Sequence, residues 1–170
     1  FFLQIAELIN ENFAPVQLIA VLSHPLVKNE GRRGEWLKAL RILERKLRGP
    51  RPAPGIQSIS KYAEKGGISD WWKEVEELIS PISALAARTQ RVGFADALDV
   101  LAEVSENLAG SDIWAKEDGR ALSSLIDEIR YHSREAGAVI SVLSLHQILR
   151  DIMNEVAVRP PYRGHPRVSI

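Results

Sequence analysis

The spacing of apolar residues constrains the fold of this chain more than any other feature of its sequence. From Phe2 to Met153, apolar side chains recur every three or four positions, which is the period of α-helices that bury one face. Glycines and prolines interrupt this pattern, and each interruption predicts the end of one helix and the start of the next. The pattern predicts a single all-α domain of six to eight helices over residues 1–157.

Glycine and proline also set the expected helix boundaries. Pro15 fits the first turn of the second helix, and the proline-rich stretch 50–55 fits an extended connector after the third. The fifth helix is expected to start at Ser69 or Asp70, either of which is a good N-cap, and Pro81 is expected to kink or break it. The other seven helices are expected over residues 1–13, 15–23, 35–48, 56–64, 94–108, 117–135 and 141–156.

The last thirteen residues differ from the helical part in their composition. Residues 159–166 contain three prolines and a glycine, which predicts a loop, and residues 168–170 have strand propensity. The sequence also begins without a methionine. We therefore expect a piece of a longer protein, in which residues 158–170 lead to a neighbouring domain outside these 170 residues.

Composition and motifs argue against several kinds of active site. The chain has no cysteine, which excludes disulfides, thiolate metal sites and thiol catalysis within it. Glycine-rich phosphate loops and nucleophile-elbow motifs are also absent from the sequence. No apolar run approaches the ~20 residues of a membrane helix, and a cytoplasmic location is expected. No catalytic residue and no cofactor are predicted in this chain.

The side chains that could ligate a metal are scattered or explained more simply. Asp96 with Asp99, and Glu103 with Glu106, are carboxylate pairs on one predicted helix, and such pairs can bind divalent cations or act as acid and base. A solvated acidic helix face is the more frequent explanation, so no metal site is predicted. The histidines lie far apart and lack metal-ligand spacing: His24, His132, His146 and His165.

The four tryptophans are the candidates for stacking on nucleic-acid bases, as single-strand binding proteins do. Trp36 and Trp72 lie on apolar faces of predicted helices, and we expect them in the core. Trp71 and Trp114 lie at helix starts, where partial exposure is expected.

Charge is balanced over the whole chain but unevenly distributed along it. The sequence holds 22 basic and 22 acidic residues. Residues 28–61 contain ten basic and three acidic residues, whereas residues 64–135 contain eight basic and fifteen acidic ones. A basic segment of this kind fits contact with a polyanion or with an acidic partner. A chance difference between solvated helix faces explains the charge counts equally well.

The third predicted helix carries the best candidates for function. Four of its basic residues fall within about 80° of one another, on the side opposite its apolar face. Glu44 can pair with one of them, Arg48, at i, i+4 spacing. Cations on one helix face neutralise phosphates without reading base sequence, so DNA contact and an acidic protein partner both fit. The candidate DNA-binding residues are this row, Lys38, Arg41, Arg45 and Arg48, together with Arg32, Arg33 and Arg51.

Several sequence segments resemble the AddB subunit of bacterial helicase–nucleases of the alphaproteobacterial type. They are L-R-G-P-R-P-A-P-G at 47–55, L-S-H-P-L at 22–26, I-W-A-K-E-D-G at 113–119, and the stretch 158–170. Within the last of these, R-P-P-Y-R-G-H-P-R is the most specific element. The similarity spans most of the chain in the same order.

The resemblance implies a part in DNA repair. In that family, AddB pairs with AddA to process double-strand DNA ends for recombination. This chain is then a non-catalytic helical accessory domain, comparable to the 2B subdomain of superfamily 1 helicases, and residues 158–170 return the chain to a RecA-like domain. The family's nuclease carboxylates and iron–sulfur cysteines have no counterpart here. The implied partners are DNA and an AddA-type subunit, with no membrane; a helical protein–protein adaptor without DNA contact is the alternative.

Overall fold

A computed structural model describes residues 1–28, 31–49 and 52–156 of the chain. Over these ranges the fold is mostly helical, which confirms the predicted all-α class. No helix in these ranges combines the length and apolar character needed to cross a bilayer. The predicted loop and strand at 158–170 lie outside the described residues. The elements are α1 (Phe2–Asn10), α2 (Pro15–Ser23), α3 (Arg33–Leu47), α4 (Ile56–Gly66), α5 (Ser69–Ala86), β1 (Val92–Gly93), α6 (Phe94–Ala109), α7 (Lys116–Glu135), β2 (Val139–Ile140) and α8 (Leu145–Asn154), with 3₁₀ helices at Gly110–Trp114 and Val142–Ser144.

The core of the fold surrounds α6. Ten of the sixteen residues of this helix are buried, so its burial extends well beyond a single stripe. It packs against α1, α5 and α7, whose apolar faces converge on it. Its buried Ser105 donates a hydrogen bond to the Leu101 carbonyl at 2.7 Å, which satisfies the hydroxyl within the helix.

The helix that carries the basic residues lies at the periphery. It packs between α2 on one side and α4 on the other. Trp36, Leu40 and Leu43 are buried on its inner face, which confirms the predicted apolar side. Its opposite face is exposed to solvent, because no described element covers it.

The fifth helix begins at Ser69, one of the two predicted starts, but its cap and its internal proline differ from expectation. The prediction that Ser69 or Asp70 caps this helix is wrong, since Ile68 is the N-cap and makes no side-chain cap bond. The alternative of a break at Pro81 is also wrong, because α5 runs through it. Proline cannot donate to the carbonyl four residues earlier, which belongs to Glu77. The Ser80 hydroxyl donates to that carbonyl at 2.9 Å instead.

Two short strands were not predicted from the sequence. β1 and β2 pair antiparallel, with Val92 opposite Ile140 and Gly93 opposite Val139. The guanidinium of Arg91 strengthens the junction by donating to the Val139 carbonyl at 2.7 Å. The helix predicted over 141–156 also divides into a 3₁₀ turn and α8, directly after β2.

Candidate nucleic-acid interface

Four exposed cations form a row on the outer face of α3. Lys38, Arg41, Arg45 and Arg48, called the basic row below, line one surface groove together with Ile42 and Glu44. The row covers ten residue steps, or about 15 Å at the helical rise of 1.5 Å per residue. The predicted shared face of these four side chains is therefore confirmed.

Most of the basic row lacks an acidic partner. Arg48 Nη2 lies 3.1 Å from Glu44 Oε1, as the spacing predicted. Their side chains are 73% and 44% exposed, so water screens the pair and it contributes little to stability. Among the described residues, Lys38, Arg41 and Arg45 have no carboxylate within 4.0 Å. Three cations of the row thus face solvent without a counter-charge from the described part of the fold.

Arg33 has a different place from the one expected for a DNA-binding residue. Its guanidinium donates to three backbone carbonyls, those of Ser23 at 3.1 Å, His24 at 2.9 Å and Val27 at 2.8 Å. The indole of Trp36 donates to the Leu22 carbonyl at 2.9 Å in the same region. Carbonyls at a helix C-terminus lack partners within the helix and attract cations. Arg33 therefore fastens the start of α3 to the end of α2.

Arg32 lies apart from the basic row, at the N-terminal end of α3 beside α5. Its Nη2 is 3.3 Å from Glu74 Oε2, and Lys28 Nζ is 3.2 Å from the other oxygen of that carboxylate. Lys28 Nζ also lies 5.7 Å from the centroid of the Trp36 ring. Arg51 lies outside the described residues. The structure thus brings together four of the seven candidates and separates Arg32 and Arg33 from them.

One member of each acidic pair on α6 has a cationic or aromatic partner that the sequence did not reveal. Asp99 forms ion pairs with Arg130 at 2.7 Å and with Arg134 at 2.9 Å, both on α7. Glu106 accepts a hydrogen bond from the Trp114 indole at 2.6 Å. In the described ranges, no group of three or more histidine, aspartate or glutamate side chains is arranged to hold a metal ion. The partners of Asp99 follow it by more than thirty residues, so local spacing could not indicate them.

The tryptophans do not form a stacking platform beside the basic row. Trp36 and Trp72 are both 3% exposed and belong to the core, as predicted. Trp71 is half-buried and meets the Trp36 ring edge-on at 5.2 Å. Trp114 is also half-buried, as predicted for both residues at helix starts. Within the described part of the chain, no aromatic side chain lines the groove of the basic row, so the chemistry seen there is that of charge and not of base stacking.

His24 serves the loop between α2 and α3. Its ring stacks on Phe1 with centroids 4.7 Å apart, and its Nδ1 accepts a hydrogen bond from the Leu26 amide at 3.3 Å. Burial lowers the pKa of His24, and the positive charges of the N-terminal amine and of Arg33 add to the effect. His24 therefore holds this loop by a hydrogen bond.

Comparisons with protein-family models, with curated proteins and with solved structures give no significant match to this chain. Any functional assignment therefore depends on the surface of α3 and on the segments of sequence that resemble a known family.

Proposed function

We propose that this chain is a non-catalytic, DNA-contacting helical domain of an AddB-type subunit. The whole subunit would belong to a helicase–nuclease that processes double-strand DNA ends for recombinational repair. The observation that carries the proposal is the basic row, in which Lys38, Arg41 and Arg45 are exposed and lack acidic partners among the described residues.

The chemistry of the row favours phosphates as its ligands. Its side chains extend over about 15 Å along one helix face, so several can reach phosphates of one DNA segment at once. Each phosphate contact on duplex DNA releases counterions and contributes about −0.9 to the slope of log affinity against log salt. The described lining of the groove includes no aromatic side chain for stacking, so the contact would position DNA without reading its sequence.

The repair context rests on the resemblance in sequence. In this context the domain corresponds to the helical 2B-like insertion of the helicase-like half of the subunit. It guides the duplex or the unwound strand, or packs against an AddA-type partner in the cytoplasm. Sequencing the gene on both sides of these 170 codons tests the assignment. A strand followed by a G-L-N-E-G-like helicase segment supports it, and stop codons at both ends would exclude it.

DNA contact is tested by fluorescence anisotropy of the 170-residue chain with labelled duplex, forked and single-stranded DNA at several salt concentrations. The test variant reverses the basic row (K38E, R41E, R45E and R48E). We expect binding that weakens steeply with salt and is lost in this variant.

A matched control separates the row from the overall charge. The variant K61E, R88E, R120E and R150E changes the net charge by the same amount, at four exposed residues outside the row. We expect this control to retain most of the DNA affinity. Equal losses in the two variants would mean that net charge, and not the basic row, carries the binding.

A helical adaptor without DNA contact is the second candidate. Two observations favour it: the engagement of Arg33 by backbone carbonyls, and that of Arg32 by Glu74. In this case the basic row would meet an acidic partner protein. Absence of DNA binding at low salt, together with capture of an acidic AddA-type subunit that depends on the row, would select the adaptor.

A further inference from the structure

The side of the fold formed by α7 and α8 leaves apolar side chains partly uncovered. On α7, Ile126 is buried, whereas the other aliphatic residues, Leu122, Leu125 and Ile129, stay half-buried. On α8, Leu145 and Leu149 are buried, whereas the residues near its C-terminal end are not. The incompletely covered residues, called the α7–α8 patch below, are Leu122, Leu125, Ile129, Ile152, Met153 and Val156.

Two depressions on this patch adjoin one another. One, of about 380 Å³, is lined by Leu122 and Met153, and the other, of about 520 Å³, by Ile129 and Ile152. Both share Leu125 and Val156, so the apolar surface continues from one to the other. Along α7 it extends from Asp118 to His132, a distance of about 21 Å at the helical rise. A patch of this length accommodates about four turns of a second helix.

The rim of the patch is negatively charged. Asp118 lines the first depression, and Glu128 and Glu155 line the second. All three are exposed, and within the described ranges none has a cationic group within 4.0 Å. Among the described residues no lysine or arginine lines either depression, and the basic side chains there are His24 and His132. Burial lowers the pKa of His24, which favours its neutral form.

We propose that the α7–α8 patch binds an amphipathic helix of a partner protein whose apolar stripe is flanked by lysine or arginine. Apolar side chains at i, i+3, i+4 and i+7 would fill the two depressions, and the flanking cations would pair with Asp118, Glu128 and Glu155. A second copy of this chain fits poorly, because the basic row on α3 is accompanied in its groove by a single apolar residue, Ile42. This proposal does not depend on DNA binding by the basic row.

The test uses the full 170-residue chain and two labelled 16-residue peptides with leucines at i, i+3, i+4, i+7 and i+11. One peptide carries lysine at the flanking positions, and the other carries glutamate at the same positions. We expect the lysine peptide to bind at least tenfold more tightly than the glutamate peptide in fluorescence anisotropy. We expect Leu125→Gln to lower the affinity for the lysine peptide by about tenfold, through the loss of one buried side chain. The double variant E128Q and E155Q should lower it by a similar factor, through the loss of two ion pairs.

Matched controls lie outside the patch. Leu143→Gln alters an apolar residue that is 65% exposed, and the pair E77Q and E103Q removes two exposed carboxylates. These controls and the reversed basic row should leave peptide affinity within twofold of wild type, with circular dichroism verifying the fold of each variant. Equal binding of the two peptides, or equal effects of patch and control variants, would overturn the proposal. A third outcome would also overturn it: a tenfold gain in peptide affinity when Arg159, Arg163 and Arg167 are replaced by glutamine. Such a gain would mean that the chain's own residues 157–170, and not a partner protein, occupy the patch.

Discussion

Gly119 is the residue whose replacement by alanine tests the packing of this fold most directly. It is buried near the start of α7, where the chain turns back against the 3₁₀ helix Gly110–Trp114. A Cβ atom at this position would lie 2.5 Å from the Ile113 carbonyl oxygen, and 2.6 and 2.9 Å from backbone atoms of Trp114. All three are backbone atoms, which cannot move aside as the end of a flexible side chain can.

The expected magnitude follows from two opposing terms. Alanine is favoured over glycine in a helix by about 1 kcal/mol. Overpacking typically costs about 1–3 kcal/mol and occasionally more, and three contacts with backbone below 3.0 Å belong at the upper end. We therefore expect Gly119→Ala to lower the free energy of unfolding by about 2 kcal/mol. For a chain of this size, that corresponds to a fall in Tm of about 4–8 °C.

Gly34→Ala is the matched control. Gly34 lies in α3, and a Cβ atom there would meet no atom within 4 Å. Its replacement should raise the free energy of unfolding by about 0.5 kcal/mol through helix propensity and reduced chain entropy. Urea unfolding followed by circular dichroism measures both variants. A Gly119→Ala protein as stable as Gly34→Ala would refute the close backbone approach at Gly119.

Four further predictions follow from the contacts described above. Arg33→Met should lower the free energy of unfolding by about 1–3 kcal/mol, because the carbonyls of Ser23, His24 and Val27 lose their charged donor. Arg41→Met should leave urea unfolding unchanged and weaken DNA binding. Glu44→Gln should release Arg48 and strengthen DNA binding, with no measurable change in Tm. The slope of log affinity against log salt should steepen by up to about 0.9, and an unchanged slope would show that Arg48 does not contact phosphate. Leu98→Ala, at a fully buried position, should cost about 2–5 kcal/mol in urea unfolding, whereas Val16→Ala, at a residue 61% exposed, should change stability by less than about 0.5 kcal/mol. The pKa of His24 is lowered in the folded chain, so the unfolded state binds more protons. The urea midpoint of unfolding should therefore fall as the pH drops below 6.5, the ordinary pKa of histidine, and His24→Gln should reduce this fall.

The sequence predicts most of this fold because most of it depends on local periodicity. The apolar period indicated the helices, and the inner face of α3 with Trp36 and Leu40 is a direct consequence of it. The β1–β2 pair was missed because each strand has only two residues and shows no alternation of its own. Its formation depends on α6 and α7 bringing Val92 and Ile140 together. The break offered as one alternative at Pro81 was wrong, because the compensating hydroxyl of Ser80 is visible only in the folded helix.

The candidate interface was likewise predictable from the sequence only in part. The basic row could be found from spacing, because Lys38, Arg41 and Arg45 belong to one helix and Arg48 follows its last residue directly. The place of Arg33 could not, since its partners are backbone carbonyls at the C-terminal end of a different helix and just beyond it, and backbone groups leave no signal in residue spacing. Glu74 follows Arg32 by 42 residues, so only the packing of α5 against the start of α3 reveals that pair.

The β1–β2 pair also has a consequence for local unfolding. It joins Val92 to Ile140, so the stretch containing α6 and α7 has its two ends held together. Such a closed unit is expected to open as a whole and not to fray from one end. The Phe94 amide, which donates to the Ala138 carbonyl at 2.9 Å, should therefore exchange its hydrogen as slowly as amides in the middle of α6. Its exchange rate becomes a single-residue probe of when α7 separates from the core.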